Sequence, residues 1–298
     1  PKATFVPGRG APATAGSSQN FSPNLAIAKL LLDRGAEAKV IDGAGYTPLH
    51  GAALAVAKAA RSGARQNSAY GQNAAALALG ADTGSETEDS LKEALTIVRR
   101  LLAGGADPNL RTTYPTGGPA GDVRINPVAP GSSPMHIAAS SSSVELVQIL
   151  TENGGNPNLI RKDGHTPFSV AIIAGDLNVM KELVARGANA RAVLDPHDKI
   201  PDPVEAITLA RQQQNMLHLA AIEGKPELLE YLFSQGVSLN AKNSLGETPY
   251  DLADKQERYR EAIQRQGADG DQEKLSKIVR KTAGTSTLKR LASQTASR

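Results

Sequence analysis

Histidine is the residue type in this chain best suited to proton transfer or metal binding, and the chain has five histidines and no cysteine. His50, His136 and His218 stand in similar local sequences, which indicates a repeated structural role rather than convergence on one pocket. His197 lies in Asp195-Pro-His-Asp198, with Asp202 nearby, but no second histidine follows at helical spacing. We therefore expect neither a metal site nor catalytic residues.

Motifs for other chemistries are missing from the sequence. Without cysteine there is no disulfide framework, no thiolate nucleophile and no sulfur-ligated zinc or iron–sulfur site. The Gly-Ala-Gly run at 43–45 is not followed by Gly-Lys-Ser/Thr, and neither Gly-x-Ser-x-Gly nor His-Glu-x-x-His occurs. The sequence thus predicts a protein that is not an enzyme, has no cofactor and takes no small-molecule substrate.

Composition restricts the protein class. The 298 residues are 40% hydrophobic and 21% charged, which is sufficient for a folded core in one elongated or two compact domains. No apolar run approaches the roughly 20 residues that cross a bilayer, and no secretory leader is evident, so we expect a cytoplasmic protein. Aromatic residues are only 3% and tryptophan is absent, which argues against a base-stacking platform.

One sequence unit recurs along the chain. Pro134 and Pro167 occupy the same place in two copies 33 residues apart, and Met216 and Pro249 repeat that spacing. An earlier copy begins at Tyr46, which gives five copies of the motif and six units when the partial ends are included. An apolar stretch that ends in glycine follows the copies, which is typical of a helix with a left-handed C-terminal residue. These glycines are Gly35, Gly105, Gly155, Gly187 and Gly236.

This pattern resembles the ankyrin-repeat family, whose unit is a β-turn, a helix that opens with Thr-Pro-Leu-His, and a longer antiparallel helix. The resemblance implies an all-α solenoid of about six helix pairs, with short β-hairpin turns and three insertions. It also implies that the motif histidines hydrogen-bond to backbone in neighbouring turns. Threonine is a favourable N-cap and proline suits the first helical position. The motif residues are Thr47, Pro48, His50, Pro134, His136, Thr166, Pro167, His218, Thr248 and Pro249.

Spacing and composition predict three segments. They are a Pro/Gly/Ser-rich N-terminal tail (1–23), a repeat domain (24–268) and a basic C-terminal tail (269–298). The repeat domain is expanded near 56–90, 112–131 and 192–210. We expect the first insertion to be added helix and a polar loop, with Ser90 capping the next helix. The other two lie at hairpin turns, the last with a short helix near Val204–Arg211.

The C-terminal tail concentrates positive charge. Residues 274–298 carry seven cationic and no acidic side chains, whereas the rest of the chain has 26 basic and 30 acidic ones. Residues 271–283 have the pattern of a basic amphipathic helix, which suits an acidic protein groove, nucleic acid or an anionic membrane. The alternative is a solvated tail with a helical stretch. The tail cations of interest are Lys274, Lys277, Arg280, Lys281, Lys289 and Arg290.

The resulting functional prediction is a protein–protein interaction scaffold or adaptor that binds another protein or complex through its concave face, turns and insertions. A subunit of a larger assembly is one form of it. The alternatives are an inhibitor or immunity-type protein that blocks an enzyme, and a nucleic-acid or membrane binder acting through the tail. The candidate contact residues at turns are Tyr46, Arg111, Tyr114, Lys162, His165, Lys199, Arg211, Lys242 and Asn243.

Overall fold

A computed structural model describes residues 25–66, 83–113, 130–194, 213–255 and 285–294. Within these ranges the chain forms eleven helices and one short hairpin, which confirms the predicted helical solenoid. The helices are α1 (Leu25–Asp33), α2 (Pro48–Gln66), α3 (Thr83–Ala103), α4 (Pro134–Ala139), α5 (Val144–Glu152), α6 (Pro167–Ala174), α7 (Leu177–Ala185), α8 (Met216–Glu223), α9 (Pro226–Ser234), α10 (249–255) and α11 (285–294). The strands are β1 (Val193–Leu194) and β2 (Gln214–Asn215).

The helices form an inner and an outer row. The inner helices α2, α4, α6 and α8 contact one another in series, while α1 contacts α3 and α5 contacts α7 in the outer row. All six residues of α4 are buried, including the small Ala138 and Ala139 that let neighbouring helices approach. Because an inner helix is surrounded by other elements, its apolar residues do not follow a single stripe.

The outer helices are amphipathic. In α5 the buried side is Leu146, Val147, Ile149 and Leu150, and Glu145 is on the exposed side. Ion pairs link the exposed sides of successive outer helices: Arg100 to Asp33 (2.7 Å), Arg99 to Glu145 (2.7 Å) and Arg186 to Glu152 (3.3 Å). Since these pairs are exposed, each contributes at most about 1 kcal/mol, and the buried apolar surface between repeats carries the stability.

The inner helices begin at the predicted caps. The hydroxyl of Thr166 accepts the amide of Ser169 at 3.2 Å, and Pro167 occupies the first helical position. Asn215 takes the threonine's place in a later repeat, where its side-chain oxygen accepts the amide of His218 at 3.1 Å. The cap fixes where each helix starts and therefore where the next repeat stacks.

Two local predictions were wrong. Helix α3 starts at Thr83, so Ser90 lies inside it and is not its N-cap; the acidic run before Leu91 favours the N-terminal turns of a helix. The first insertion lengthens α2 and α3. In the third glycine stop the left-handed residue is Gly154 (φ 83°) and not Gly155, where an added Cβ would lie 2.7 Å from the Leu150 carbonyl oxygen.

Between an outer helix and the next inner helix the chain makes a turn that we call a finger. The described residues of the five fingers are 37–47, 107–113 with 130–133, 156–166, 189–194 with 213–215, and 238–248. In four of them one backbone bond closes the hairpin: the amides of Asp42, Thr112, Arg161 and Asn243 donate to the carbonyls of Tyr46, Ser132, His165 and Glu247. Strands β1 and β2 do so in the fourth finger, with Leu194 opposite Gln214.

The second and third insertions therefore leave the solenoid within the second and fourth fingers. The amide of Gly131 donates to the Thr112 carbonyl at 2.7 Å, and that of Gln213 to the Leu194 carbonyl at 2.9 Å. Each of these two hydrogen bonds brings the two ends of an insertion together. The helix predicted near Val204–Arg211 lies outside the described residues.

Helix α11 packs on the repeats, although the sequence assigns residues 285–294 to a tail. Leu288 and Leu291 are buried in the same core as the repeat helices. Arg290 forms an ion pair with Glu230 of α9, and the Nζ of Lys289 lies 5.8 Å from the centre of the Tyr250 ring. The helix predicted at 271–283, with Lys274, Lys277, Arg280 and Lys281, lies outside the described residues.

Neighbouring fingers approach one another closely at Gly131. This residue has φ 82°, and a Cβ there would lie 2.9 Å from the backbone nitrogen of Lys162 in the next finger. In the fourth finger Gln213 stands at the corresponding position with φ 60°, a conformation that is unusual for a residue other than glycine.

We predict that Gly131→Ala destabilises the fold more than Gly154→Ala. Both glycines have nearly the same positive φ (82° and 83°), but a Cβ at Gly154 meets nothing within 4 Å. The backbone penalty of about 1–2 kcal/mol is common to both, and only Gly131→Ala must also separate two fingers. Urea unfolding followed by far-ultraviolet circular dichroism measures the difference. Equal midpoints for the two variants would show that the fingers do not pack as described.

Candidate functional site: the row of fingers

Three motif histidines tie a finger to the next one, at three of the four junctions between fingers. The Nε2 atoms of His50, His136 and His218 lie 3.2, 3.2 and 3.0 Å from the carbonyls of Ser132, His165 and Glu247. On the other side of each ring a backbone amide donates to Nδ1, as that of Ser133 does to His136 at 3.1 Å. Because Nδ1 accepts, Nε2 carries the proton and donates to the carbonyl.

Each accepting carbonyl takes part in two hydrogen bonds. Those of Ser132, His165 and Glu247 also accept the backbone amide that closes their own hairpin. A carbonyl oxygen has two lone pairs, so the two hydrogen bonds use its full capacity. The histidine of one repeat therefore fixes both the position and the shape of the next finger.

Burial keeps these rings neutral. Burial, together with the positive charge of Arg161, lowers the pKa of His136 to about 3. The pKa values of His50 and His218 are also lowered, chiefly by burial. A neutral imidazole held by two hydrogen bonds is a structural bridge, because neither ring nitrogen remains available to a substrate or a metal ion.

Asparagine side chains form a second set of bridges. The Nδ2 of Asn109 donates to the Gly154 carbonyl at 2.9 Å, and its Oδ1 accepts the amide of Asn156 at 2.8 Å. Asn158 makes the same two bonds with Gly187 and Asn189, both at 2.8 Å. Arg191 replaces asparagine in the following repeat and donates from Nε to the Gln235 carbonyl at 2.9 Å.

The third finger contains a partly buried charge pair. Arg161 is 6% exposed, and its Nη2 donates to Oδ2 of Asp163 at 2.6 Å. Burial opposes the charge of Asp163, but the guanidinium beside it holds the pKa of that carboxyl below its usual range. The ion pair stiffens this turn, and its two charges compensate each other within the turn.

Several predicted contact residues are part of this framework. His165 is 3% exposed, with Nδ1 3.0 Å from the Ser169 hydroxyl, so the prediction of an exposed His165 is wrong. Asn243 is 4% exposed, and its Oδ1 accepts the amides of Leu245 and Glu247. Tyr46 is half-buried against the His50 ring, and burial raises the pKa of its hydroxyl.

The predicted cations in the described fingers are on the surface. Arg111, Lys162 and Lys242 are exposed. Arg111 donates from Nη1 to the Ile160 carbonyl at 3.2 Å, which directs its side chain along the row towards the third finger. Tyr114, Lys199, Arg211 and His197 lie outside the described residues. In the part of the chain that is described, no three His, Asp or Glu side chains form a group able to hold a metal ion.

Exposed aliphatic residues in the fingers were missed by the sequence interpretation. Ile41 and Val193 are 53% and 52% exposed, and Leu245 is 58% exposed. The signal was present in the sequence, because Ile41, Val193 and Arg111 occupy the same place in their repeats.

A family model described as ankyrin repeats (3 copies) matches residues 87–193, and one described as ankyrin repeats (many copies) matches residues 202–253. Together the two matches cover more than half of the chain. The chain belongs to the ankyrin-repeat family. Repeats of this kind indicate protein–protein interaction, and the three insertions expand the 33-residue ankyrin unit without breaking its stacking.

Curated relatives are similar over about two fifths of this ankyrin-repeat chain. Cyclin-dependent kinase 4 inhibitor B of Rattus norvegicus is 31% identical over 119 residues, which is 40% of this chain and 79% of the inhibitor. A transient receptor potential cation channel subfamily A member 1 homologue of Caenorhabditis elegans is 27% identical over 41% of the chain, and the E3 ubiquitin-protein ligase KEG of Arabidopsis thaliana is 29% identical over 40%. The chain spans less than a tenth of the length of these last two.

Within the described ranges, no helix combines the length and the apolar character needed to cross a bilayer.

We predict that His136 links stability to pH. Its pKa is about 3 in the folded chain and about 6.5 when unfolded, so the unfolded state binds more protons between these values. Stability from this residue is complete above pH 6.5 and falls by about 1.4 kcal/mol per pH unit as the pH drops through that window. Urea titrations at pH 6 and pH 4 measure how the free energy of unfolding changes with pH. In His136→Gln this change should be smaller than in the unsubstituted chain, by an amount that corresponds to at most one proton. An unchanged slope would contradict the neutral bridge.

Proposed function

We propose that this chain is a non-enzymatic scaffold that binds a partner protein along its row of fingers. The observation that carries the proposal is the division of labour among finger residues. Histidine, asparagine and the Arg161–Asp163 pair are used inside the framework, whereas Arg111, Lys162, Lys242, Ile41 and Val193 are exposed on it. A fixed row that displays cationic and aliphatic side chains is suited to protein contact. Because the backbone of the row is already ordered, binding a partner does not require the entropic cost of ordering it.

The rest of the described structure supports a binding role rather than catalysis. The motif histidines are neutral and doubly hydrogen-bonded, which leaves no proton donor or acceptor free at those rings. The partly buried Asp163 is paired with Arg161. The described ends of the second and third insertions lie in the second and fourth fingers, the same turns that carry exposed Arg111 and Val193.

An inhibitor is the second candidate within the same class of function. The observation in its favour is the similarity to a cyclin-dependent kinase inhibitor, 79% of whose length this chain matches. An ankyrin-repeat unit that blocks an enzyme would use the same fingers. Stoichiometric loss of the partner's activity on binding would distinguish the inhibitor from an adaptor.

Binding of nucleic acid or an anionic membrane through the C-terminal tail is less well supported. Of its six cations of interest, Arg290 is paired with Glu230 and Lys289 lies against Tyr250. Removal of the whole tail would also delete the buried Leu288 and Leu291. Substitution of Lys274, Lys277, Arg280 and Lys281 by serine keeps α11 and isolates the effect of charge.

We expect site-specific photo-crosslinking to locate the partner on the fingers. Benzoylphenylalanine is placed at Arg111 or at Lys242 in the full chain, and at exposed Lys181 on outer helix α7 as the control. Partner adducts should form from the two finger positions and not from position 181, at equal helical content by circular dichroism. Adducts from position 181 alone, or loss of binding in the four-serine tail variant, would contradict the proposal.

A further inference from the structure

One position recurs in all five fingers, directly before the residue whose backbone closes the hairpin. We call these five residues the finger stripe. Their side chains are apolar, basic, apolar, apolar and basic in order along the solenoid. Two of the apolar members are more than half exposed, the third is half-buried, and both cations are exposed. The finger stripe consists of Ile41, Arg111, Ile160, Val193 and Lys242.

Shallow grooves separate the first fingers along the stripe. Ile41 and Leu110 line the groove between fingers one and two, together with Lys39. Arg111, Ile160 and Lys162 line the next. The Arg111 Nη1 atom donates to the Ile160 carbonyl across this second groove at 3.2 Å. Ile41, Arg111 and Ile160 therefore line adjacent grooves between the first three fingers.

The charges of the stripe favour an acidic partner. Nearby carboxylates are engaged in the fingers: Asp42 accepts the amides of Ala44 and Tyr46, Asp107 accepts that of Asn109, and Asp163 pairs with Arg161. Both charged members of the stripe are positive. A partner that placed a cation opposite either would meet repulsion, which makes the stripe selective as well as attractive.

The spacing of the repeats favours a particular backbone conformation in the partner. Packed helices lie about 8–10 Å apart, so stripe residues of adjacent repeats are separated by about that distance. A polyproline II helix has three residues per turn and rises about 3.1 Å per residue, which returns a side chain to the same face every 9.3 Å or so. In a β-strand every third side chain points to the opposite face.

We propose that the finger stripe binds an extended, polyproline II-like segment of the partner that has apolar, acidic, apolar, apolar and acidic residues at every third position. The proposal rests on the proposed function and specifies the chemistry of the partner. The acidic residues contact Arg111 and Lys242, and the three apolar residues contact Ile41, Ile160 and Val193. The contact residues follow one another at every third position, so the two acidic residues are nine positions apart, with eight residues between them.

Two synthetic peptides test the register. The register peptide has leucine, glutamate, leucine, leucine and glutamate at every third position, with proline and serine between them. The permuted peptide has the same composition with both glutamates first. Fluorescence anisotropy with the full chain should show roughly tenfold tighter binding of the register peptide, and tighter binding at low salt than at high salt.

Variants of the chain give the matched controls. Arg111→Ala and Lys242→Ala should each weaken the register peptide by roughly three- to tenfold, whereas Lys181→Ala on α7 should leave it unchanged. Equal affinity for the two peptides, no measurable binding, or equal effects of the three variants would overturn the proposal.

Other occupants of the stripe give different results. Tighter binding of a 12-nucleotide oligouridine that Arg111→Ala abolishes would indicate nucleic acid and overturn the proposal. Self-association in sedimentation velocity that Ile41→Asp abolishes would indicate a second copy and overturn it as well. Photo-crosslinks from Arg111 and Lys242 to a partner, without register-dependent peptide binding, would reject the segment chemistry and leave the scaffold function standing. Absence of both the photo-crosslinks and the register-dependent peptide binding would reject the segment chemistry and the scaffold function together.

Discussion

The hydrogen bond from a histidine Nε2 to a carbonyl of the next finger is the interaction on which the row of fingers depends. Apolar burial stacks the helices, but it is non-directional and leaves the turns free to vary. The bond from His136 to the His165 carbonyl acts on the same oxygen that closes the third finger. Stacking, finger shape and the spacing of exposed side chains are thereby set together.

The junctions between repeats are not equally bridged. Histidine and asparagine both span the junction of the second and third fingers, through His136 and Asn109. At the next junction Ser169 stands in place of the histidine, and its hydroxyl donates to the Thr166 carbonyl of its own cap. Asn158 bridges this junction by donating to the Gly187 carbonyl. The finger beyond this junction carries the third insertion and has Gln213 at positive φ. The replacement of the motif histidine and a local conformational cost at Gln213 thus coincide at one place along the row.

Sequence reasoning predicted the solenoid, the helix caps and the location of two insertions in hairpins, because the 33-residue spacing and the Thr-Pro pair are local signals. It failed where partners are distant in sequence or specific to one repeat. The burial of His165 depends on Ser169 in place of the usual histidine, and the packing of α11 depends on Glu230 and Tyr250 in earlier helices. The exposed Ile41 and Val193 could have been found by comparing equivalent positions across fingers, since what distinguishes them is their place in the repeat.

The most direct test of a rigid row of fingers is residue-resolved hydrogen exchange by nuclear magnetic resonance on the full chain. The amides of Thr112, Arg161 and Asn243 close three fingers through carbonyls that also accept a histidine. If the fingers are held as described, these amides exchange as slowly as those in the buried inner helix α6. Exchange at the rate of an unstructured peptide, with α6 still protected, would contradict the account.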